Sequence, residues 1–212
     1  MRYLKRRNSL KLSIKAAIIS SLFLLITPSV AAEIKSDVDP KSVSEARSTS
    51  LGLYLSPKGA FKALQDNPKI VFIDVRDPIE IAFVGHAVGT DKNIPVAIAS
   101  HEFDAKAGKY KMKANPNLLA EVKALIDEEG VTKNDPIFVA CRSGGRSGKV
   151  ARKLIKAGYT NVWNLVEGFE GDKNKEGVRA VNGWRNANLP WTYKLSKEMA
   201  WQGKSEMVKD KP

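Results

Sequence analysis

Between Leu51 and Leu165 the chain alternates two kinds of apolar pattern. One kind is short and continuous: Ile70-Val71-Phe72-Ile73, Ile137-Phe138-Val139-Ala140 and Val162-Trp163-Asn164-Leu165. Such runs, rich in β-branched and aromatic residues, predict strands buried on both faces. The other kind has helical spacing. Ser56 as N-cap and Pro57 at the first helical position open a helix with Ala60, Phe61 and Leu64 on one face, and Asn67-Pro68 closes it. Asn115 and Pro116 open a second, striped by Leu118, Leu119, Val122, Leu125 and Ile126 and stopped by Gly130. Val150, Ala151, Leu154 and Ile155 mark another, beginning around Ser147 and closed by Gly158. Strands alternating with helices predict an α/β layer fold with a mostly parallel central sheet flanked by helices. Right-handed crossovers then bring the strand ends that carry Asp74 and Cys141 to one edge. Open α/β sheets bind their ligands at that edge.

The flanks read differently. Residues 1–32 hold Arg2, Lys5, Arg6, Arg7, Lys11 and Lys15, then an apolar run from Ala16 to Val30 that ends in small residues. This is the pattern of a cleaved export signal, with cleavage after Ala31 or Ala32. The run falls short of the roughly 20 apolar residues that a membrane span needs. The expected location is therefore periplasmic or secreted, with no stable membrane anchor once the signal is removed. Residues 33–50 are polar and predict a linker or loosely held arm. The compact domain is expected over 51–195, with a tail over 196–212. Setting aside the six basic residues of the signal, which has no acid, lowers the formal charge from +12 to +6. Acids and bases are interspersed without a dense basic stripe, so nucleic acid is not the expected partner.

One cysteine, Cys141, stands in the whole chain, so no internal disulfide can form. An unpaired cysteine in an exported protein is either a link to another chain or a reactive thiol; a buried inert cysteine is the plainer alternative. The local sequence favours reactivity. Sulfur attacks as the thiolate, and a helix N-terminus with neighbouring guanidinium groups favours that ion. Cys141-Arg142-Ser143-Gly144-Gly145-Arg146-Ser147 supplies these parts: two arginines, two glycines that let the backbone curl into an anion-binding nest, and a helix just beyond. A nucleotide-binding loop is excluded: Gly148-Lys149 is followed by Val150, and no glycine lies five residues before Gly148.

This loop, following a buried strand and preceding a helix, resembles the active-site loop of rhodanese-like sulfurtransferases. Ile73-Asp74-Val75-Arg76, Glu80, Gly85-His86 and Asn93-Ile94-Pro95 resemble the family's upstream motif, and Trp163 through Phe169 its closing strand and turn. The resemblance runs from about Leu51 to about Trp191. It implies a rhodanese-like three-layer fold and a two-step reaction. Cys141 takes the outer sulfur of a donor such as thiosulfate and becomes a persulfide, and a thiol or cyanide-like acceptor then removes it. Arg142 and Arg146 would hold a small anionic donor. The backbone of Arg142, Ser143, Gly144, Gly145, Arg146 and Ser147 would cradle the sulfur. Asp74 would buttress the loop from the neighbouring strand end, and Arg76 would support it, pairing with Glu80 four residues on. His86 is expected to be a structural hydrogen bonder. No cofactor and no metal are implied. Departures from the pattern include Glu167 where glycine is common, Glu80 where vertebrate thiosulfate enzymes carry a basic residue, and an insertion over 172–183 before Trp184. The insertion is expected near the active edge.

Two other classes share these parts. A persulfide carrier or binding module would use the same thiol to serve a partner protein as acceptor. A phosphatase or arsenate reductase would need a wider loop of the Cys-x5-Arg kind to wrap a tetrahedral oxyanion; Cys141 and Arg146 give Cys-x4-Arg.

Overall fold

The computed structural model describes residues 33–203. The expected export signal lies outside the described residues. In chain order the domain comprises β1 (Tyr54–Leu55), α1 (Pro57–Asp66), β2 (Val71–Asp74), α2 (Pro78–Val84), β3 (His86–Ala87), β4 (Lys92–Asn93), β5 (Ala97–Asp104) and β6 (Lys109–Ala114). It continues with α3 (Leu118–Glu129), β7 (Ile137–Ala140), α4 (Gly145–Lys156), β8 (Val162–Leu165) and β9 (Trp191–Thr192). Five strands form the central sheet in the order β1-β8-β7-β2-β4, every pair parallel.

The pleat sorts each strand between two cores. Val71, Ile73, Ile137, Val139 and Val162 face α3 and α4, where they meet Val122, Leu125, Ile126, Val150, Ala151 and Leu154. Phe72, Phe138, Trp163 and Leu165 face α1, where they meet Ala60, Leu64, Phe169 and Trp184. Helices on both faces make the three-layer α/β arrangement that the alternation predicts. Trp184, displaced along the chain by the insertion, is 1% exposed and closes the α1 side, with its indole N–H on the Pro190 carbonyl at 2.9 Å.

Helix boundaries follow their caps. Ser56 Oγ accepts the Gly59 N–H at 3.1 Å, and Pro57 opens α1 as expected. The opening of α3 is shifted: its N-cap is Asn117, and Asn115 instead accepts the Asn117 N–H and donates to Glu121 and the Pro95 carbonyl. Leu119 leaves the expected stripe and stands exposed, because the buried face runs through Leu118, Val122, Leu125 and Ile126.

Three segments depart from the simple alternation. A two-stranded antiparallel hairpin, β5–β6, projects between β4 and α3. Its register puts Ala97, Ala99, Phe103, Tyr110, Met112 and Ala114 on one face, and Lys109, Lys111 and Lys113 on the other. Residues 33–50, expected as a loose linker, lie on the domain. Asp37 accepts from Ser56, Arg47 pairs with Asp172, and the Arg47 carbonyl accepts from Asn164. The described part of the expected tail is also held: the Asn93 N–H donates to the Met199 carbonyl at 2.8 Å, and Trp201 donates to Glu121. Among the described residues no helix is long and apolar enough to cross a membrane.

Candidate active site

The carboxyl ends of β2, β7 and β8 deliver Asp74, Cys141 and the turn from Val166 to Glu170 to one edge. Cys141 is the first residue past β7. Its side chain is 1% exposed and packs on the α3/α4 core. Ser147 Oγ lies 3.4 Å from Sγ and 3.0 Å from the Gly144 carbonyl; its single hydrogen serves one of them at a time. The sulfur therefore sits over the first turn of α4.

The loop is shaped by Gly144, whose φ of 86° lies in the left-handed region. A Cβ there would strike the Val166 carbonyl oxygen. Its reversal lets α4 begin at Gly145, two residues earlier than the sequence predicts. Among the described residues, none of the backbone N–H groups from Arg142 through Ser147 donates to a protein acceptor. Consecutive unpaired N–H groups around a left-handed residue form an anion nest, and the α4 macrodipole adds roughly half a positive charge at that end. The turn after β8 clamps the loop from behind. Phe169 N–H donates to the Cys141 carbonyl at 2.8 Å, and Glu170 and Gly171 N–H donate to the Arg142 carbonyl at 2.9 and 3.1 Å. Gly168, with φ 65°, permits this approach, since a Cβ would lie 2.5 Å from the Cys141 carbonyl oxygen.

The charged residues pair differently from the sequence expectation. Arg76 does not pair with Glu80. It is fully buried, folds back on Asp74 with Nη2–Oδ2 at 2.7 Å, donates to the Gly85 carbonyl, and lies 4.4 Å above the Phe169 ring. The Asp74 carboxylate thus orders the exit of β2 through Arg76. Asn93 completes this corner by donating to the Asp74 and Arg76 carbonyls at 2.9 and 2.8 Å. Glu80 instead forms a two-pronged pair with Arg146, at 2.5 and 2.6 Å, which joins α2 to α4. Burial works against the Glu80 carboxylate. The Arg146 hydrogen bond and charge, the Asp77 N–H and the Arg76 charge outweigh it and hold Glu80 below its ordinary range. The same pairing raises the affinity of Arg146 for its proton, against the opposing effect of burial. Arg142 turns its Nε onto Glu170 at 2.7 Å. His86, paired with Thr192 where β3 meets β9, has its ring nitrogens 3.1 and 3.2 Å from the Ala87 and Lys194 carbonyls.

Three residues at the site escaped the sequence reading. Asn164, buried within β8, donates to the Gly144 and Arg47 carbonyls at 3.2 and 2.7 Å. An amide inside an otherwise apolar run is the signal that could have found it. Arg47 lies beneath the loop, its Cδ 3.0 Å from where a Gly144 Cβ would stand, and its side chain holds Asp172 at the root of the 172–183 insertion. That bond is the main reason Asp172 stays ionised below the ordinary aspartate range. Glu170 carried no local signal, because its partner is 28 residues away.

A buried thiol thus stands at the carboxyl edge of a parallel sheet, over a helix start and in a loop of unpaired N–H groups, within a three-layer α/β domain. The rhodanese-like domain family matches residues 58–175, more than half of the chain, and this protein belongs to that family. It is 29% identical over 134 residues, 63% of this chain and 92% of the relative, to the uncharacterized protein RP600 of Rickettsia prowazekii. It is 35% identical over 98 residues, 46% of this chain and 69% of the relative, to the chloroplastic thiosulfate sulfurtransferase 16 of Arabidopsis thaliana. Among solved structures it resembles Rv0390 from M. tuberculosis, with a TM-score of 0.53 and 32% identity over 66% of this chain and 97% of that one.

Proposed function

We propose that this protein is a sulfurtransferase that carries sulfane sulfur on Cys141, acting outside the cytoplasm if residues 1–32 serve as an export signal. The observation that carries the reading is the run of unpaired N–H groups from Arg142 to Ser147 at the start of α4, beside the Cys141 sulfur. The Cys141 thiolate attacks the outer sulfur of a donor; the Cys141–sulfur bond forms as the donor's S–S bond breaks. With thiosulfate the leaving group is sulfite. An acceptor such as cyanide or a thiol then takes the outer sulfur and restores the thiolate. In both half-reactions negative charge stays on sulfur within the loop, where fixed N–H dipoles stabilise it without reorganising. Arg142, 45% exposed at its side chain, stands at the rim to meet the donor. Arg146 holds the loop in place through Glu80, an arrangement that does not leave it to clasp a tetrahedral phosphate and so disfavours phosphatase chemistry.

The test is the intact mass of the purified protein. Incubation with a sulfane donor adds one sulfur atom and cyanide removes it. Cys141→Ala gains none and transfers no sulfur while keeping the native circular dichroism spectrum. A Cys141→Ala protein that still produced thiocyanate would end the assignment.

A further inference from the structure

Three guanidinium groups at the site are each matched to a carboxylate. Arg142 is bonded to Glu170, Arg146 to Glu80 and Arg76 to Asp74. Glu170 pairs with Arg142, the most exposed of these three guanidinium groups. The Glu170 side chain is 14% exposed, its Oε2 accepts from Arg142 Nε, and its own backbone N–H is fixed to the Arg142 carbonyl. The insertion braces it from behind, since Asn186 donates to the Glu170, Arg179 and Asn182 carbonyls at 3.0, 3.2 and 2.8 Å. Glu170 is thus a largely buried acid held against Arg142, the residue that follows Cys141 in the loop. Beside these pairs, the loop's own positive potential comes from backbone N–H groups and a helix end, together enough for about one negative charge. The sulfur itself supplies that charge when it is ionised.

We infer that Glu170, with Glu80 in support, sets the donor class: Cys141 is charged from a hydropersulfide, RSSH, in preference to a dianion such as thiosulfate. This rests on the sulfurtransferase reading above. A dianion meeting the outer nitrogens of Arg142 would lie beside the Glu170 carboxylate, which already offsets that charge and is itself only 14% exposed, so the repulsion is less screened than in bulk water. A hydropersulfide brings at most one charge to the reacting end. The step balances without an oxidant: the thiolate and RSSH become Cys141–S–SH and RS⁻, one S–S bond forming as another breaks. Glu170 acts through Arg142 and is a specificity residue rather than a catalytic one.

The experiment measures the rate at which Cys141 gains a sulfur atom, by quench and intact mass, with cysteine hydropersulfide or thiosulfate at equal concentration. The wild-type chain is expected to prefer the hydropersulfide by about tenfold or more, and Glu170→Gln to shrink that ratio by about tenfold through faster reaction with thiosulfate. Glu170→Asp, which keeps the charge, retains most of the preference. Glu80→Gln shifts the ratio in the same direction as Glu170→Gln, which keeps the test available if one variant folds poorly. A purely structural role for Glu170 would slow both donors together and leave the ratio where it was. A wild-type ratio near one, unmoved by either glutamine variant, overturns the inference alone. Failure of both donors to load Cys141 overturns the sulfurtransferase reading beneath it.

Discussion

Adjacent glycines in the loop have opposite requirements. At Gly144 the left-handed φ of 86° and the nearby Val166 carbonyl exclude any side chain, whereas a Cβ at Gly145 meets nothing within 4 Å. Gly144→Ala is therefore expected to destabilise the domain by about 1–3 kcal/mol from backbone strain alone, and to slow persulfide formation by disordering the nest. Gly145→Ala should leave stability within about 0.5 kcal/mol of wild type. Urea titrations of the two variants check the contrast, and equal midpoints would argue against it. At this scale the loop from Cys141 to Ser147 was legible because its parts are local: a thiol, a turn and a helix start lie within seven residues. Arg76 and Glu80 each take a partner other than the one their spacing predicts. Helical spacing pointed to Arg76, yet α2 begins only at Pro78, leaving Arg76 outside the helix and free to turn back onto Asp74.

Between elements, the Glu80–Arg146 pair is the link that ties α2 to the first turn of α4. Because Glu80 is held below its ordinary value of 4.5 in the folded chain, its contribution is fully present above that value. It is lost as pH falls through the lower folded value, where the carboxylate takes up a proton and the pair breaks. The urea midpoint of the wild type should accordingly drop on acidification below about pH 4.5 more steeply than that of Glu80→Gln. Two curves that stay parallel through that range would show that the pair adds no stability. The strands β2, β7 and β8 were readable because each is a continuous apolar run, buried on both faces. The hairpin β5–β6 has no such run: Lys109-Tyr110-Lys111-Met112-Lys113 alternates with the period of a strand, but every residue of β6 is exposed.

On the scale of the molecule, the arm before the domain completes the site. Ala46 and Arg47 lie so close to Gly148 that a Cβ there would be 3.0 Å from the arm's backbone, and Arg152 donates to the Ser48 carbonyl at 2.6 Å. Polar composition predicted a loose linker because hydrogen-bonded burial of backbone has no hydrophobic signature. A chain beginning at Leu51 should melt several degrees lower than one beginning at Glu33, since it loses the bonds to Ser56, Asn164 and Asp172. Arg47→Ala alone should cost about 1 kcal/mol, a modest value because the Asp172 side chain is 36% exposed and solvent screens the pair. Thermal unfolding followed by circular dichroism decides both, and an unchanged midpoint for the shortened chain would mean the arm adds nothing.

The enclosure of the lone thiol also bears on oxidation. For a disulfide to join two molecules, their cysteine α-carbons must come within about 7 Å. Each copy instead keeps Cys141 buried, at 1% exposure. Covalent dimers should thus be absent from a non-reducing gel even after exposure to air, with the thiol left available to reagents slender enough to thread the loop.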